Sequence, residues 1–207
     1  MNIHSVATAA PIVDRRAAIL DAATSVFARR GFFGAQVADV AKAAGIAAGT
    51  VYLYFRSKDE ILTSIFDRLM QEAMADGRSA LAGIADPVER LRRIAHLHLG
   101  RLGRDRNLAI VFQVELRQTT KFMERFSKTG LADYLALIQK TIEEGQQLGV
   151  FRPDIDARTA SKVFFGALDE MATNWILSRR RYSLEAQADA VVDLLVGGLA
   201  APARSSR

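Results

Sequence analysis

Helical periodicity is the feature that most limits what this chain can fold into. Apolar residues recur at intervals of three and four from Asp14 to Leu199, whereas the two-residue alternation typical of strands is scarce. The sequence therefore predicts an all-α protein of about nine helices. A length of 207 residues is enough for one or two domains with a sizeable core.

Glycine, proline and short polar runs divide this periodic pattern into segments. Gly31 fits the C-terminal end of a helix, and Pro87 fits the first turn of another. The pattern is absent at both ends, so we expect a flexible arm over residues 1–13 and a disordered tail over residues 201–207. The predicted helices cover residues 14–30, 37–44, 47–55, 58–82, 87–102, 108–118, 122–148, 156–178 and 184–199.

Two of the short predicted helices are joined by a tight turn, Ala44-Gly45-Ile46. Gly45 can adopt the left-handed conformation that ends the first of them without a Cβ penalty. Val51 and Phe55 are four residues apart and anchor the second helix on its buried side. This arrangement is typical of a helix-turn-helix, which places its second helix in the major groove of DNA.

The outer side of the second helix offers small residues and hydroxyls. Small side chains let a backbone approach DNA closely, and Thr50 and the tyrosine hydroxyls can bond to phosphate oxygens or, for Thr50, to a base edge. Lys58 begins the next helix, where it could meet a phosphate. The alternative for Tyr52 and Tyr54 is that they are amphipathic surface residues. The predicted DNA contacts are Gln36, Ala47, Ala48, Gly49, Thr50, Tyr52, Leu53, Tyr54 and Lys58.

Basic charge is concentrated at the same end of the chain. Residues 1–58 carry seven basic and three acidic side chains, a net charge of +4 within the total of +5. A polyanion would bind where this excess lies. A solvated basic surface would give the same count, so charge alone does not decide between the two.

Three runs within residues 14–70 form one pattern. They are Phe32-Phe33-Gly34-Ala35-Gln36-Val37-Ala38-Asp39-Val40-Ala41, Ala44-Gly45-Ile46 and Gly49-Thr50-Val51-Tyr52-Leu53-Tyr54-Phe55-Arg56-Ser57-Lys58-Asp59-Glu60-Ile61-Leu62. This pattern resembles the TetR family of bacterial repressors. The resemblance implies a DNA-binding domain over residues 14–58 and a helical ligand-binding and dimerisation domain over residues 59–200. It also implies a homodimer on a palindromic double-stranded operator, released by a small molecule. Gln36 departs from the family, which commonly has threonine or serine there, and is a poorer helix cap.

A second, looser resemblance concerns the acyl-CoA-responsive fatty-acid-degradation repressors within that family. It rests on residues 52–55, 107–118 and 122–126. It implies that a fatty acyl-CoA releases the repressor from its operator. The alternative with the same fold is a regulator of a multidrug efflux pump that senses a lipophilic drug.

A pocket between bundle helices needs an apolar lining with a few polar groups. The second half of the chain offers such side chains on three predicted helices, although each of them could equally be an ordinary core residue. The predicted ligand-binding residues are Arg101, Phe112, Gln113, Leu116, Tyr134, Phe165, Leu168, Met171 and Trp175. An acyl-CoA also needs cations for its phosphates, for which surface solvation is the alternative role. The candidate cations are Arg92, Arg93, Arg101, Arg104 and Arg106.

The last two predicted helices, residues 156–178 and 184–199, are the expected dimer interface. The final helix carries an apolar stripe that is longer than one small domain needs to bury. Two such helix pairs would form an intermolecular four-helix bundle. Packing inside one subunit is the alternative. The stripe consists of Ala188, Val191, Val192, Leu195, Gly198 and Leu199.

Other classes of protein find little support in the sequence. The absence of cysteine excludes disulfides, thiolate metal sites and cysteine nucleophiles, and permits the cytoplasmic location that we expect. His96 and His98 face different directions on one helix, and Asp169 and Glu170 also diverge, so neither a metal site nor a catalytic carboxylate pair is predicted. No phosphate-binding glycine loop, nucleophile elbow or membrane span is found, and an enzyme is the weaker alternative.

Overall fold

The computed structural model describes residues 14–118, 120–128 and 130–199, so the predicted arm (1–13) and tail (201–207) lie outside the described residues. Within these ranges the regular elements are ten α-helices and two short 3-10 helices, which confirms the all-α prediction. The α-helices are α1 (Arg15–Arg30), α2 (Val37–Ala43), α3 (Ala48–Tyr52), α4 (Lys58–Leu81), α5 (Pro87–Arg104), α6 (Arg106–Gln113), α7 (Thr120–Lys128), α8 (Gly130–Gln147), α9 (Ala157–Leu177) and α10 (Ala188–Leu199). The 3-10 helices are Glu115–Gln118 and Glu185–Gln187.

Some predicted helices differ from the observed ones. The helix predicted over residues 47–55 ends at Tyr52, and the one predicted over 108–118 starts at Arg106 and finishes as a 3-10 helix. The helix predicted over 184–199 begins as a 3-10 helix and continues as α10. The described residues of the helix predicted over 122–148 form α7 and α8, on either side of position 129. Gly130 packs closely on α4: a Cβ there would lie only 2.4 Å from the Met70 Cβ, so glycine alone fits.

Aspartate and serine side chains set the starts of the long helices. The Asp14 carboxylate accepts N–H bonds in the first turn of α1, and the Ser57 hydroxyl accepts the Glu60 N–H at 3.1 Å in α4. Asp105 caps α6 by accepting the Leu108 N–H at 3.0 Å. The cap at Asp105 explains why α6 begins two residues before the predicted position.

The first three helices form a small head around one apolar cluster. Val51 and Phe55 are buried in it, as their spacing predicts, together with Phe27 of α1. Gly45 ends the α2 segment with φ 68°, the left-handed conformation expected from the sequence. The turn Ala44-Gly45-Ile46 therefore fixes α3 against the head.

The remaining helices form a bundle that shares α4 with the head. α4 packs on α1 through its first half and on α5 and α8 along its length, while α6 packs on both α1 and α9. α5 lies between α4 and α10, and α8 pairs with α9. None of the described helices combines the length and apolar character that crossing a membrane requires.

Candidate nucleic-acid interface and apolar cavity

The predicted DNA-contact residues of α3 and its flanks lie mainly at the surface. Ala47, Ala48 and Gly49 are exposed, and a Cβ placed on Gly49 would meet nothing within 4 Å. Tyr52 and Leu53 are 56% and 82% exposed, which is unusual for such large side chains without a partner. Tyr54 is also exposed, whereas Thr50 is half-buried. The geometry leaves this end of the head open to a groove, and the individual contacts stay a prediction.

The Asp39 side chain holds the first turn of α2. Its carboxylate accepts the Gln36 N–H at 3.0 Å and also pairs with Arg30 at 2.6 Å. Gln36 itself is exposed at the start of the helix. Its contact with a phosphate stays a prediction.

Lys58 occupies a different position from the predicted phosphate contact. Its ammonium donates to the backbone carbonyls of Phe32 at 2.7 Å and Ala35 at 2.8 Å, with a longer contact to Phe33 at 3.4 Å. The same group lies 4.5 Å from the centre of the Phe32 ring. The three donors of the ammonium are thus directed at the loop between α1 and α2, and Lys58 ties α4 to the head.

An apolar cavity of about 40 Å³ lies in the bundle between α4, α5, α6, α8 and α9. Four of the nine predicted ligand residues line it: Arg101, Phe112, Tyr134 and Phe165. Much of the remaining lining is aliphatic, including Leu69, Ile94 and Leu137. Arg101 and Asp76 both belong to the lining, and they form an ion pair. Arg101 also pairs with Glu72 at 2.6 Å. The side chains of both acids are half exposed. This end of the cavity therefore meets solvent.

The other five predicted ligand residues are placed elsewhere by the structure. Gln113 donates to Asp169 at 2.8 Å, and Arg117 donates to the same carboxylate at 2.5 Å. These bonds join the end of α6 and the segment after it to α9. The Trp175 N–H is bonded to the Tyr182 carbonyl, 3.0 Å away. Leu116 and Leu168 are fully buried core residues, and Met171 is partly buried against the core. These five do not line the cavity because neighbouring helices already cover them.

Three arginines of the predicted phosphate-binding set are engaged within the subunit. Arg92 pairs with Asp189 at 2.9 Å and Asp193 at 2.8 Å, both on α10. Arg106 donates to the Ile176 carbonyl at 2.6 Å and stacks on the Trp175 ring. These two therefore bind separate helices rather than forming one cationic patch, and of the set only Arg101 lines the cavity.

His98 is the cavity residue that the sequence did not single out for ligand binding. Its Nδ1 lies 3.1 Å from the Tyr134 hydroxyl, and its Nε2 is buried with no hydrogen-bond partner among the described residues. Burial lowers the pKa of His98 to about 4, with a smaller opposing effect from the charge of Asp169. Burial also raises the pKa of Tyr134. Both side chains are therefore neutral at pH 7.

Glu115 is a second residue that the predicted binding sites do not include. It is buried, and its Oε2 accepts the backbone N–H of Phe32 at 2.7 Å and the Gln118 amide at 2.6 Å. Gly31 lies beside it: a Cβ added to Gly31 would be 3.9 Å from the Glu115 carboxylate. The segment after α6 thus holds the loop of the head, from the opposite side to Lys58.

Apolar side chains remain exposed on α9 and α10. Val163, Leu177 and Leu194 are 55%, 73% and 79% exposed. The stripe predicted for dimerisation is divided. Ala188, Val192 and Leu199 are buried within the subunit, which corrects the prediction for these three residues. Val191 and Leu195 are half-buried, and the most exposed large apolar side chain of α10 is Leu194.

Comparisons with known proteins agree with this architecture. A family model described as bacterial regulatory proteins, tetR family, matches residues 19–65, and one described as YsiA-like protein, C-terminal region, matches residues 66–198. A fatty acid metabolism regulator protein from Bacillus subtilis is 36% identical over 87% of this chain and 93% of its own length.

Two solved structures are similar over most of both chains. The fatty acid degradation regulator FadR from Bacillus halodurans gives a TM-score of 0.85 at 39% identity, covering 90% of this chain and 96% of that one. The transcriptional regulator FadR from Bacillus subtilis, in complex with stearoyl-CoA, gives a TM-score of 0.84 at 36% identity, covering 88% and 98%.

Proposed function

Because this chain belongs to the tetR family of bacterial regulatory proteins, we propose that it represses transcription from an operator that it releases when a fatty acyl-CoA binds. The observation that carries the effector is the apolar cavity with Arg101 at its solvent end. Its lining matches the chemistry of a ligand with a long apolar body and a polar end. A relative with 36% identity has been solved with stearoyl-CoA, which is a ligand of that chemistry.

The DNA-reading part of the proposal rests on the exposed end of the head. Residues 14–58 supply α1 to α3, and the surface formed by Ala47, Ala48 and Gly49 allows close backbone approach to a groove. Tyr52, Tyr54 and Gln36 then offer polar groups to phosphates. Thr50, half-buried beside them, is the candidate for a base contact. Lys58 contributes by holding the head in shape.

A homodimer matches the exposed apolar face of α9 and α10. Val163, Leu177 and Leu194 would be covered if two copies paired these helices as a four-helix bundle. A two-fold pair places two heads on a palindromic operator, with the α3 helices about 34–36 Å apart on one face of the DNA. The bundle of residues 59–200 is then both the dimerisation and the effector domain.

Effector binding must enlarge the cavity. Drug-sized ligands occupy pockets of about 300–1,000 Å³, whereas this one measures about 40 Å³. An acyl chain therefore has to displace lining side chains, several of which belong to α4. Polar groups of the CoA moiety that bind Arg101 would also compete with Glu72 and Asp76, the two α4 carboxylates that Arg101 now holds. Both effects loosen α4, which joins the bundle to the head.

A second route to the head runs through α9. Phe165 lines the cavity, and Asp169, one turn further on the same helix, binds Gln113 and Arg117. Between those two residues lies Glu115, which holds the Phe32 N–H in the head. A shift of α9 would therefore be transmitted to the loop before α2. A ligand that prefers the shifted arrangement weakens DNA binding by the reciprocal coupling.

The test begins with an operator selected by the purified protein from a pool of random duplex DNA. Release of that operator is then measured by fluorescence anisotropy with stearoyl-CoA, stearate and CoA in parallel. We expect stearoyl-CoA to release the DNA, and CoA without an acyl chain to have no effect. A selected operator that stays bound at saturating stearoyl-CoA would reject the proposed effector. Release by a lipophilic cation instead would favour an efflux-pump regulator.

A further inference from the structure

Apart from Arg101 and Asp76 at its solvent end, the wall of the effector cavity contains one polar pair, His98 and Tyr134, in aliphatic and aromatic surroundings. His98 Nδ1 and the Tyr134 hydroxyl are 3.1 Å apart. The Phe165 ring meets both rings edge-on, at centroid distances of 5.9 Å from His98 and 6.1 Å from Tyr134. Packing from two helices therefore fixes the orientation of the imidazole.

The pair also fixes which nitrogen carries the proton. A phenol is the more acidic partner and an imidazole nitrogen the more basic one, so the Tyr134 hydroxyl donates and Nδ1 accepts. The neutral ring then keeps its single N–H on Nε2. Nε2 is buried and has no acceptor among the described residues. A donor in that position is costly to leave unpaired, and a ligand oxygen would satisfy it.

Position along α5 indicates which ligand oxygen this is. His98 precedes Arg101 by three residues, so the two side chains lie on the same face of the helix, one turn apart, and both line the cavity. Arg101 marks the solvent end, where the polar CoA moiety would enter. A donor one turn deeper, in the apolar part of the cavity, lies where the pantetheine arm gives way to the acyl chain.

We infer that His98 Nε2–H donates a hydrogen bond to the carbonyl oxygen at the head of the acyl chain, so that the cavity selects a thioester over an alkyl chain of equal length. The inference rests on the proposed function and adds to it a recognition element for the acyl group. Tyr134 acts as the positioning residue, because it holds the tautomer that donates. No covalent step is involved.

The test compares palmitoyl-CoA with S-hexadecyl-CoA, the thioether in which a methylene replaces the carbonyl. Binding of each to the full-length protein is measured by calorimetry. We expect wild type to bind the thioester about tenfold more tightly or better, since a buried donor loses its partner in the other case. His98→Leu should bind both equally, His98→Gln should restore part of the preference with its amide N–H, and Tyr134→Phe should reduce it.

His96→Leu is the matched control, since His96 lies on the same helix but is bonded to Asp189 on α10. It should keep the wild-type preference. Equal affinities of wild type for the two CoA compounds, or an unchanged preference in a folded His98→Leu, would overturn the inference while leaving acyl-CoA binding intact. Failure of wild type to bind either compound would instead reject the proposed effector itself. If His98→Leu does not fold, Tyr134→Phe decides.

Discussion

Replacing Lys58 by methionine separates a structural role from a DNA-binding one. The substitution keeps the aliphatic stem but removes the ammonium that donates at 2.7 and 2.8 Å to the Phe32 and Ala35 carbonyls. Hydrogen bonds to charged groups contribute about 1.5–3 kcal/mol each, and partial exposure places these two near the lower end. We therefore expect a loss of about 3 kcal/mol in the free energy of unfolding.

Such a loss is large enough to measure by thermal denaturation. For a chain of this size, 1 kcal/mol corresponds to about 2–4 °C in Tm, so Lys58→Met should lower Tm by roughly 6–12 °C. Lys42→Met is the control, because Lys42 is an exposed lysine of α2. Its Tm should stay within about 2 °C of wild type, as expected for a surface substitution.

The salt dependence of operator binding distinguishes the two roles. A lysine that neutralises one phosphate contributes about −0.9 to the slope of log K against log salt concentration. Because the Lys58 ammonium is committed to carbonyls, the slope of Lys58→Met should equal that of wild type at a temperature where both are folded. A slope reduced by about 0.9 per subunit, with Tm unchanged, would refute the structural role and restore the phosphate contact.

Substitutions at three further positions, with their controls, test the bundle and its link to the head. Glu115→Leu should lower the free energy of unfolding by about 2–3 kcal/mol and expose the Phe32 amide to hydrogen exchange. Glu115→Gln keeps an acceptor and should lower the free energy of unfolding by about 1 kcal/mol or less. Gly130→Ala should cost about 1–3 kcal/mol through its clash with Met70, while Gly77→Ala, whose Cβ would meet Leu137 at an ordinary 3.5 Å, should be neutral or stabilising in thermal denaturation. Burial lowers the pKa of His98 from 6.5 to about 4. Between pH 4 and pH 6.5 the unfolded chain therefore binds more protons than the folded one. Stability should therefore fall as pH drops from 6.5 through 4, by up to about 3 kcal/mol, and His98→Leu should lose this component in urea titrations at each pH.

Features that repeat along the chain could be predicted from the sequence. The i, i+4 spacing of Val51 and Phe55 identified the buried side of α3, and Gly45 identified its turn, because helix packing imposes both patterns locally. The sequence also identified Phe112, Tyr134 and Phe165 of the cavity, because they are large apolar side chains on the inward faces of predicted helices. The sequence pattern needed no knowledge of what lay opposite them.

Contacts between distant segments could not be predicted in this way. Lys58 binds backbone carbonyls, which every residue has, so its partners leave no trace in the sequence. Arg92 reaches Asp189, which lies 97 residues later, and only the packing of α5 on α10 brings the two together. The stripe on α10 was assigned to a dimer because its apolar spacing is the same whether it faces its own bundle or a second subunit.

Two contacts that the sequence did not reveal, those of Glu115 and Lys58, meet at one residue of the head, Phe32. Phe32 gives its N–H to Glu115 of the effector domain and its carbonyl to Lys58 at the start of α4, and its ring packs 5.3 Å from that of Phe122 on α7. The loop before α2 is thus held by both proposed routes from the cavity. Movement along either route alone would break or strain the other contact, which favours two discrete arrangements over gradual deformation. Coupling is reciprocal, so Glu115→Leu, which cuts the α9 route alone, should reduce the effect of effector on DNA affinity and the effect of DNA on effector affinity by the same factor.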